Sequence, residues 1–272
     1  MWWSRYIALG ALAATLLASS VAHAKAWTQP EGDGYGKLAI RGIVGDQAFT
    51  ADGDLEPSRS FVDLSLRHYV EYGLAEQWTI LTHGSPIGFA GYGDESTAYT
   101  GPLFVGVRRG LLDGPFKLAV EAHYGYTPPL GEENLAAEDA AFRYIPTVET
   151  HAAGGELQAG YGFDWGWAVA SAGLRWYSRD AIDPAVMGFA QVGFHATDTI
   201  QLDAHAALYE PLGDVEETNV SGAGQTRYIG AGLGASWWLL DDVGVALGLE
   251  GAPYAESNAG AASITLGAEW RM

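Results

Sequence analysis

Hydrophobic and polar residues alternate along most of the chain. Between Ile200 and Leu208, apolar residues occupy every second position, with polar residues such as Asp203 and His205 between them. Successive side chains of a β-strand point to opposite faces, so this spacing predicts strands with one apolar and one polar face. Twelve segments are predicted as strands: 34–43, 61–72, 78–88, 101–110, 116–126, 156–163, 167–177, 186–196, 199–209, 228–238, 243–250 and 263–271.

The lengths of these segments and of their connections favour a membrane barrel. A tilted strand crosses a bilayer in ~9–11 residues. Short connections at 73–77, 111–115, 164–166, 197–198 and 239–242 alternate with longer polar ones at 44–60, 86–100, 127–151, 178–184, 210–225 and 251–259. This is typical of a periplasmic and an external rim. We predict an all-β fold, a twelve-stranded antiparallel up-and-down transmembrane β-barrel over residues 34–272.

Aromatic residues gather near the ends of the predicted strands, as they do at the two interfaces of membrane barrels. One predicted belt contains Tyr72, Trp78, Phe116, Phe163, Trp165, Trp167, Phe194, Trp237, Trp238 and Trp270, and the other contains Tyr124, Tyr126, Trp176, Tyr177, Tyr209 and Tyr254. The alternative is a secreted β-sandwich, which also alternates. Its solvent face should be rich in Lys, Glu and Thr, whereas the polar face here is rich in glycine.

The first 24 residues differ from the rest. Arg5 precedes an apolar stretch that ends in Ala22-His23-Ala24, the pattern of a cleaved signal peptide. An uncleaved membrane anchor is the alternative, but the apolar core is shorter than the ~20 residues that a spanning helix needs. We predict a signal peptide at 1–24, a periplasmic lead at 25–33, and export to the cell outer membrane. The chain has no cysteine, which excludes a lipoprotein anchor and disulfides.

The composition limits the classes of molecule that the protein is expected to bind. The formal net charge is −19, and nucleic-acid binding depends on basic residues that neutralise phosphates, so no nucleic-acid partner is expected. A barrel of this kind would contact outer-membrane lipid and lipopolysaccharide, and would be inserted by the barrel-assembly machinery. No cofactor or metal site is predicted.

The polar faces define the predicted lumen. Carboxylates and basic residues occur there in equal number, so the lumen is expected to be close to neutral and to brace a plugged barrel or line a wet pore. It lacks a run of arginines, which argues against a channel specialised for acidic sugars. The predicted lumen residues are Lys37, Arg41, Asp63, Arg67, Glu71, Arg108, Lys117, Glu121, His123, Glu156, Arg175, Gln191, His195, Asp203, His205, Glu250 and Glu269.

The long connections are acidic and predict an external rim that enriches cations. The predicted rim residues are Asp52, Asp54, Glu56, Glu132, Glu133, Asp214, Glu216 and Glu217. The first three would share one side of an extended backbone, and calcium takes such ligands, but the EF-hand pattern is missing. Within the third long connection, residues 130–144 favour a short helix capping the loop, with a loop folded into the lumen as the alternative.

His83 and Ser85 would share a strand face, as a nucleophile and its base must. The pair is similar to the His-x-Ser pair of outer-membrane phospholipase A, another twelve-stranded barrel. Here Pro86 stands where that family has Asn. A lipid hydrolase is therefore a minor alternative, and we predict a non-enzyme.

Two segments resemble a known family. Ala26-Trp27-Thr28-Gln29-Pro30-Glu31-Gly32-Asp33-Gly34-Tyr35, and Glu71-Tyr72-Gly73-Leu74-Ala75-Glu76-Gln77-Trp78, are similar to the outer-membrane family labelled "MetA-pathway of phenol degradation". The resemblance implies a β-barrel with an outer-membrane transport role and no catalytic residues. We therefore predict a porin-like channel for passive uptake of small solutes, with hydrophobic, aromatic or cationic compounds as candidates. The alternative is a closed structural or surface-interaction barrel.

Overall fold

The computed structural model describes residues 27–137 and 141–272, so the predicted signal peptide lies outside the described residues. The strands in this part of the chain are β1 (Gly34–Phe49), β2 (Leu55–Ala75), β3 (Trp78–Tyr92), β4 (Glu95–Tyr99), β5 (Leu103–Leu112), β6 (Phe116–Thr127), β7 (Thr150–Phe163), β8 (Gly166–Tyr177), β9 (Ala185–His195), β10 (Ile200–Pro211), β11 (Arg227–Trp238), β12 (Val243–Glu256), β13 (Asn258–Ala259) and β14 (Ser263–Arg271).

Twelve of these strands form one closed antiparallel barrel, which confirms the predicted fold class. Each barrel strand pairs with the next in the chain, while the short β4 folds back on β3 and β13 pairs with the end of β1. The barrel closes because β1 pairs with both β2 and β14. Across residues 27–137 and 141–272, no helix has the length and apolarity needed to cross a membrane.

The outer surface is a continuous apolar band. Ile40, Leu266 and Leu247 lie side by side on β1, β14 and β12, and their exposed fractions are 59%, 62% and 55%. Exposed apolar patches of this size are rare on soluble proteins but are the rule on the lipid face of a barrel. The alternation read from the sequence therefore separates a lipid face from a lumen face.

The strands extend further on the long-loop side than predicted. β1 continues to Phe49 and β2 starts at Leu55, so most of the predicted first loop is a hairpin. β3 similarly continues to Tyr92 and pairs with β4. The exposed positions of these extensions include polar residues such as Asp46 and Gln47 as well as the apolar Val44, so the alternation is lost there and the pattern gave no signal for them.

Several aromatic residues predicted for the interfacial belts lie inside the barrel instead. Trp167 and Trp238 are buried and line a small cavity at the short-turn end. Tyr177 and Tyr209 line a cavity near the long-loop end, and their hydroxyl groups are 2.6 Å apart. Proximity to a strand end does not reveal the face on which a side chain lies, which is why these four residues were misplaced.

The connection between β6 and β7 folds inward, and the predicted helix is wrong for its described part. Residues 130–137 and 141–144 contain no helix. Asn134 Oδ1 accepts hydrogen bonds from the backbone N–H groups of Ala136 and Tyr144. The Tyr144 ring is buried and stacks on Tyr92 at a centroid distance of 5.0 Å. Burial of this ring against the inner wall favours the inward fold over a helix in solvent.

Candidate functional site: the barrel lumen

A buried ionic network crosses the lumen near the short-turn end. Arg108 Nη1 lies 2.9 Å from Glu71 Oε2, and Arg108 Nη2 lies 3.0 Å from Glu121 Oε2. The exposed fractions of these three residues are 1%, 2% and 8%. Gln158 Nε2 donates to Glu121, and Tyr69 OH donates to Glu71. Buried charges are stable only when paired and hydrogen-bonded in this way, so we call these five residues the ionic floor.

Residues 27–33, the described part of the predicted N-terminal lead, enter the barrel at its short-turn end. The backbone N–H of Gln29 donates to Thr79 Oγ1 at 2.8 Å, and Gln29 Nε2 donates to Glu71. The backbone carbonyl of Trp27 accepts a hydrogen bond from Arg108 at 3.0 Å. The Trp27 ring packs against Trp167 and Val169 on β8. The lead therefore runs from the β2–β3 wall to the nearly opposite β8 wall and narrows the lumen.

The absence of a side chain on Gly73 allows the lead to pass close to β2 as it enters the barrel. A Cβ atom at this position would lie 1.9 Å from the carbonyl oxygen of Pro30, closer than any non-bonded contact allows. The N–H of Gly32 also donates to the carbonyl of Gly73. Neither the lead's path nor this close approach could be read from an alternation pattern, because both depend on long-range contacts.

Two adjoining cavities lie between the ionic floor and the long loops. The central cavity, of 510 Å³, lies above the ionic floor and is lined by Lys37, His68, Tyr69, His83 and Glu250, among others. The external cavity, of 340 Å³, lies towards the long loops and is lined by aromatic rings, by Asp63 and by Arg175. Arg41, Arg67 and Tyr228 line both cavities, so the two adjoin.

The remaining predicted lumen residues also lie on the inner face. Asp203 accepts hydrogen bonds from Gln191 and from His205, and Glu269 accepts one from Tyr35. The His195 ring lies 5.4 Å from the inward-facing Trp167 ring. Lys117 lies at the periplasmic mouth rather than deep in the lumen.

In the β5–β6 turn, Asp113 pairs with Lys117. The hydrogen bond from Lys117 holds the pKa of the Asp113 carboxyl below its usual range.

The structure brings together one group with the composition of a metal site, which the sequence did not predict. Ligand atoms of Glu121, His123 and Glu156 lie within 4.8 Å of one another. However, Arg175 Nε donates to His123 Nε2 at 3.4 Å, so this ring nitrogen already accepts a hydrogen bond. Arg108 also bonds to Glu121. Arg108 and Arg175 already donate hydrogen bonds to Glu121 and His123, so the geometry of this group does not favour a bound cation.

The predicted acidic rim is partly neutralised. Glu132 pairs with Arg179, and Glu217 pairs with Arg143, both across different loops. Asp52 lies in a turn and Glu56 in β2, so the extended backbone supposed for calcium binding is not present. Asp54, Glu133, Asp214 and Glu216 are not in any ion pair of the described residues. Enrichment of cations by the rim stays a prediction.

The geometry does not support the hydrolase alternative. Ser85 Oγ donates to the carbonyl of Leu66 at 3.1 Å, and the His83 ring stacks on Phe104 at 4.9 Å. Both residues line lumen cavities rather than the lipid face. Neither arrangement activates the serine hydroxyl as a nucleophile.

Known proteins share this fold at low sequence identity. No family model matches the chain, and no curated protein matches it. The COG4313 outer membrane channel from Pseudomonas putida F1 is 13% identical, with a TM-score of 0.62 over 93% of this chain and 100% of that one. The translocator domain of the autotransporter NalP from Neisseria meningitidis is 13% identical, with a TM-score of 0.51 over 99% and 95%. The KdgM porin in complex with disordered oligogalacturonate is 4% identical, with a TM-score of 0.50 over 88% and 98%. The chain thus has the fold of outer-membrane β-barrels.

Proposed function

We propose that the protein is an outer-membrane channel that lets small solutes cross passively through its lumen. The observation that carries the proposal is the pair of adjoining cavities, of 340 and 510 Å³, between the long loops and the ionic floor. The apolar outer surface and the fold shared with outer-membrane channels support the location. The sequence resemblance to the phenol-degradation family is in line with a transport role.

A closed structural barrel remains the second candidate, because two observations favour it. The lead crosses the lumen below the central cavity and makes hydrogen bonds to Thr79, Glu71 and Arg108. The inward-folded loop at the other end buries Leu135 and Tyr144. A channel in this state passes solute only around the lead or after it moves.

We expect the double variant Trp27→Ala/Gln29→Ala to conduct better than the native chain. The substitutions remove the ring that packs on β8 and the side chain that bonds to Glu71, so the lead loses two of its attachments. Single-channel recording in planar bilayers measures the effect. The native chain should show small steps, and the variant should show severalfold larger steps or longer openings.

Thr28→Ala is the matched control. Thr28 lies between the two substituted positions, and its side chain makes no hydrogen bond among the described residues. The conductance of the Thr28→Ala variant should therefore equal that of the native chain. Steps absent from the native chain and from all variants, in preparations that are folded by circular dichroism, would favour the closed barrel.

A further inference from the structure

We infer that the lumen binds a small aromatic monoanion, such as an aromatic carboxylate, at a site formed by Arg41, Arg67 and Arg175. This inference rests on the proposed channel function and specifies the chemistry of its solute. The three arginines are far apart in sequence, on β1, β2 and β8. They all line the external cavity.

The three arginines line one cavity from different walls of the barrel. Ala39 is the partner of Arg67 in the β1–β2 register, so Arg41 and Arg67 are diagonal neighbours on the inner face. Tyr228 lies within electrostatic range of Arg41, Arg67 and Arg175. Tyr228 itself lines both cavities, so the three arginines surround the part of the lumen where the two cavities adjoin.

These arginines lack the carboxylate partners that other lumen arginines have. None of the ion pairs in the described part of the chain involves Arg41, Arg67 or Arg175, whereas Arg108 bonds to two carboxylates. Asp63 accepts a hydrogen bond from Tyr99 and lies within electrostatic range of Arg41 and Arg67 without forming an ion pair with either. A guanidinium presents a planar set of donors that matches a carboxylate in two-point geometry. Arg175 donates through Nε to His123, so its Nη groups and the guanidinium groups of Arg41 and Arg67 are the donors arranged to receive an anion.

The net charge of the residues around the three arginines favours a ligand with a single negative charge. Among its described lining residues, the external cavity contains these three arginines and one carboxylate, Asp63. Glu250 lies at the adjoining end of the central cavity, also within electrostatic range of Tyr228. Lys37 also lines the central cavity but lies within electrostatic range of Asp203, so one positive charge is left in excess around the three arginines. A monoanion neutralises it, whereas a dianion would introduce an unpaired charge at a desolvated site.

The walls of the external cavity fit an aromatic body. Phe61, Phe104, Tyr177 and Tyr209 line it, and Arg175 already lies over the Phe104 ring at 4.5 Å. Aromatic rings attract other rings in offset or edge-to-face contact. The volume of 340 Å³ lies within the ~300–1,000 Å³ of small-ligand sites. The cavity thus combines a charged end with an apolar, ring-lined body.

The test compares three ligands of nearly the same shape: benzoate, the neutral benzamide and the cationic benzamidine. Binding to the folded, detergent-solubilised full chain is measured by calorimetry. We expect benzoate to bind best, and Arg67→Gln and Arg175→Gln each to weaken its binding by at least ~10-fold, the lower end for a hydrogen bond to a charged group. Lys37→Gln is the matched control, because Lys37 lies in the lumen but not in the external cavity. Its affinity for benzoate should change little.

Equal binding of the three ligands, tighter binding of benzamidine, or benzoate binding that survives both arginine substitutions would overturn the inference. Flux of the same compounds into proteoliposomes separates this failure from failure of the channel proposal. Flux of all three without dependence on the arginines keeps the channel and removes the anion site. Arginine-dependent binding without flux of any compound keeps the site and contradicts the channel.

Discussion

Replacing Arg108 with methionine should lower the free energy of unfolding of the barrel by ~3–5 kcal/mol, the cost of breaking a buried ion pair from one side. Glu71 and Glu121 would remain buried, at 2% and 8% exposure, without the guanidinium between them. The carbonyl of Trp27 would also lose its donor. Urea unfolding in detergent or lipid, followed by tryptophan fluorescence, measures the change.

Two further variants test whether the loss of stability comes from the buried carboxylates that Arg108→Met leaves unpaired. Arg109→Met changes the next residue, which faces outward and lies over the Trp78 ring at 5.2 Å, so its cost should stay within the ~0.5–1 kcal/mol of an exposed cation–π contact. The triple variant Arg108→Met/Glu71→Gln/Glu121→Gln removes all three charges and should regain much of the lost stability. If the triple variant is less stable than Arg108→Met, charge pairing does not explain how the ionic floor contributes to the stability of the barrel.

The second prediction compares the same substitution on the two faces of one strand, β12. Leu247→Arg would place a charge in the middle of the apolar band and should cost ~2–4 kcal/mol. Gly248→Arg introduces the same side chain one residue later on the inner face. A Cβ atom there meets Thr265 Cβ at 3.6 Å, an ordinary contact, so this variant should fold nearly as well as the native chain.

The yield of the heat-resistant folded form on unboiled gels and the urea midpoint measure both variants. Equal loss of folding at Leu247 and at Gly248 would contradict the separation into lipid and lumen faces. The comparison is matched because the same residue is introduced at adjacent positions of β12.

The barrel could be predicted from the sequence because its signal is local. Alternation within one strand reports which side chains face lipid, and the lengths of the connections report the two rims. The external hairpins escaped prediction because the alternation is lost where residues such as Phe49 and Leu55 pair with each other.

The contents of the lumen were less predictable for a related reason. Lumen residues could be assigned to the inner face, but not to partners on other strands. Arg108 is paired with two carboxylates while Arg67 is paired with none, although both appeared in the sequence as inward-facing arginines. The lead illustrates the same limit, since Gln29 is placed by contacts with Glu71 and Thr79, about 40 to 50 residues away.

The most direct test of the central claim asks whether current flows through the lumen. The native chain has no cysteine, so Gly248→Cys and Leu247→Cys each introduce a single thiol, on the lumen face and on the lipid face. We predict that a charged methanethiosulfonate reagent added during single-channel recording changes the conductance of Gly248→Cys and leaves that of Leu247→Cys unchanged. Conductance that the reagent leaves unchanged in both variants, when mass spectrometry shows that Gly248→Cys is modified, would contradict passage through the lumen.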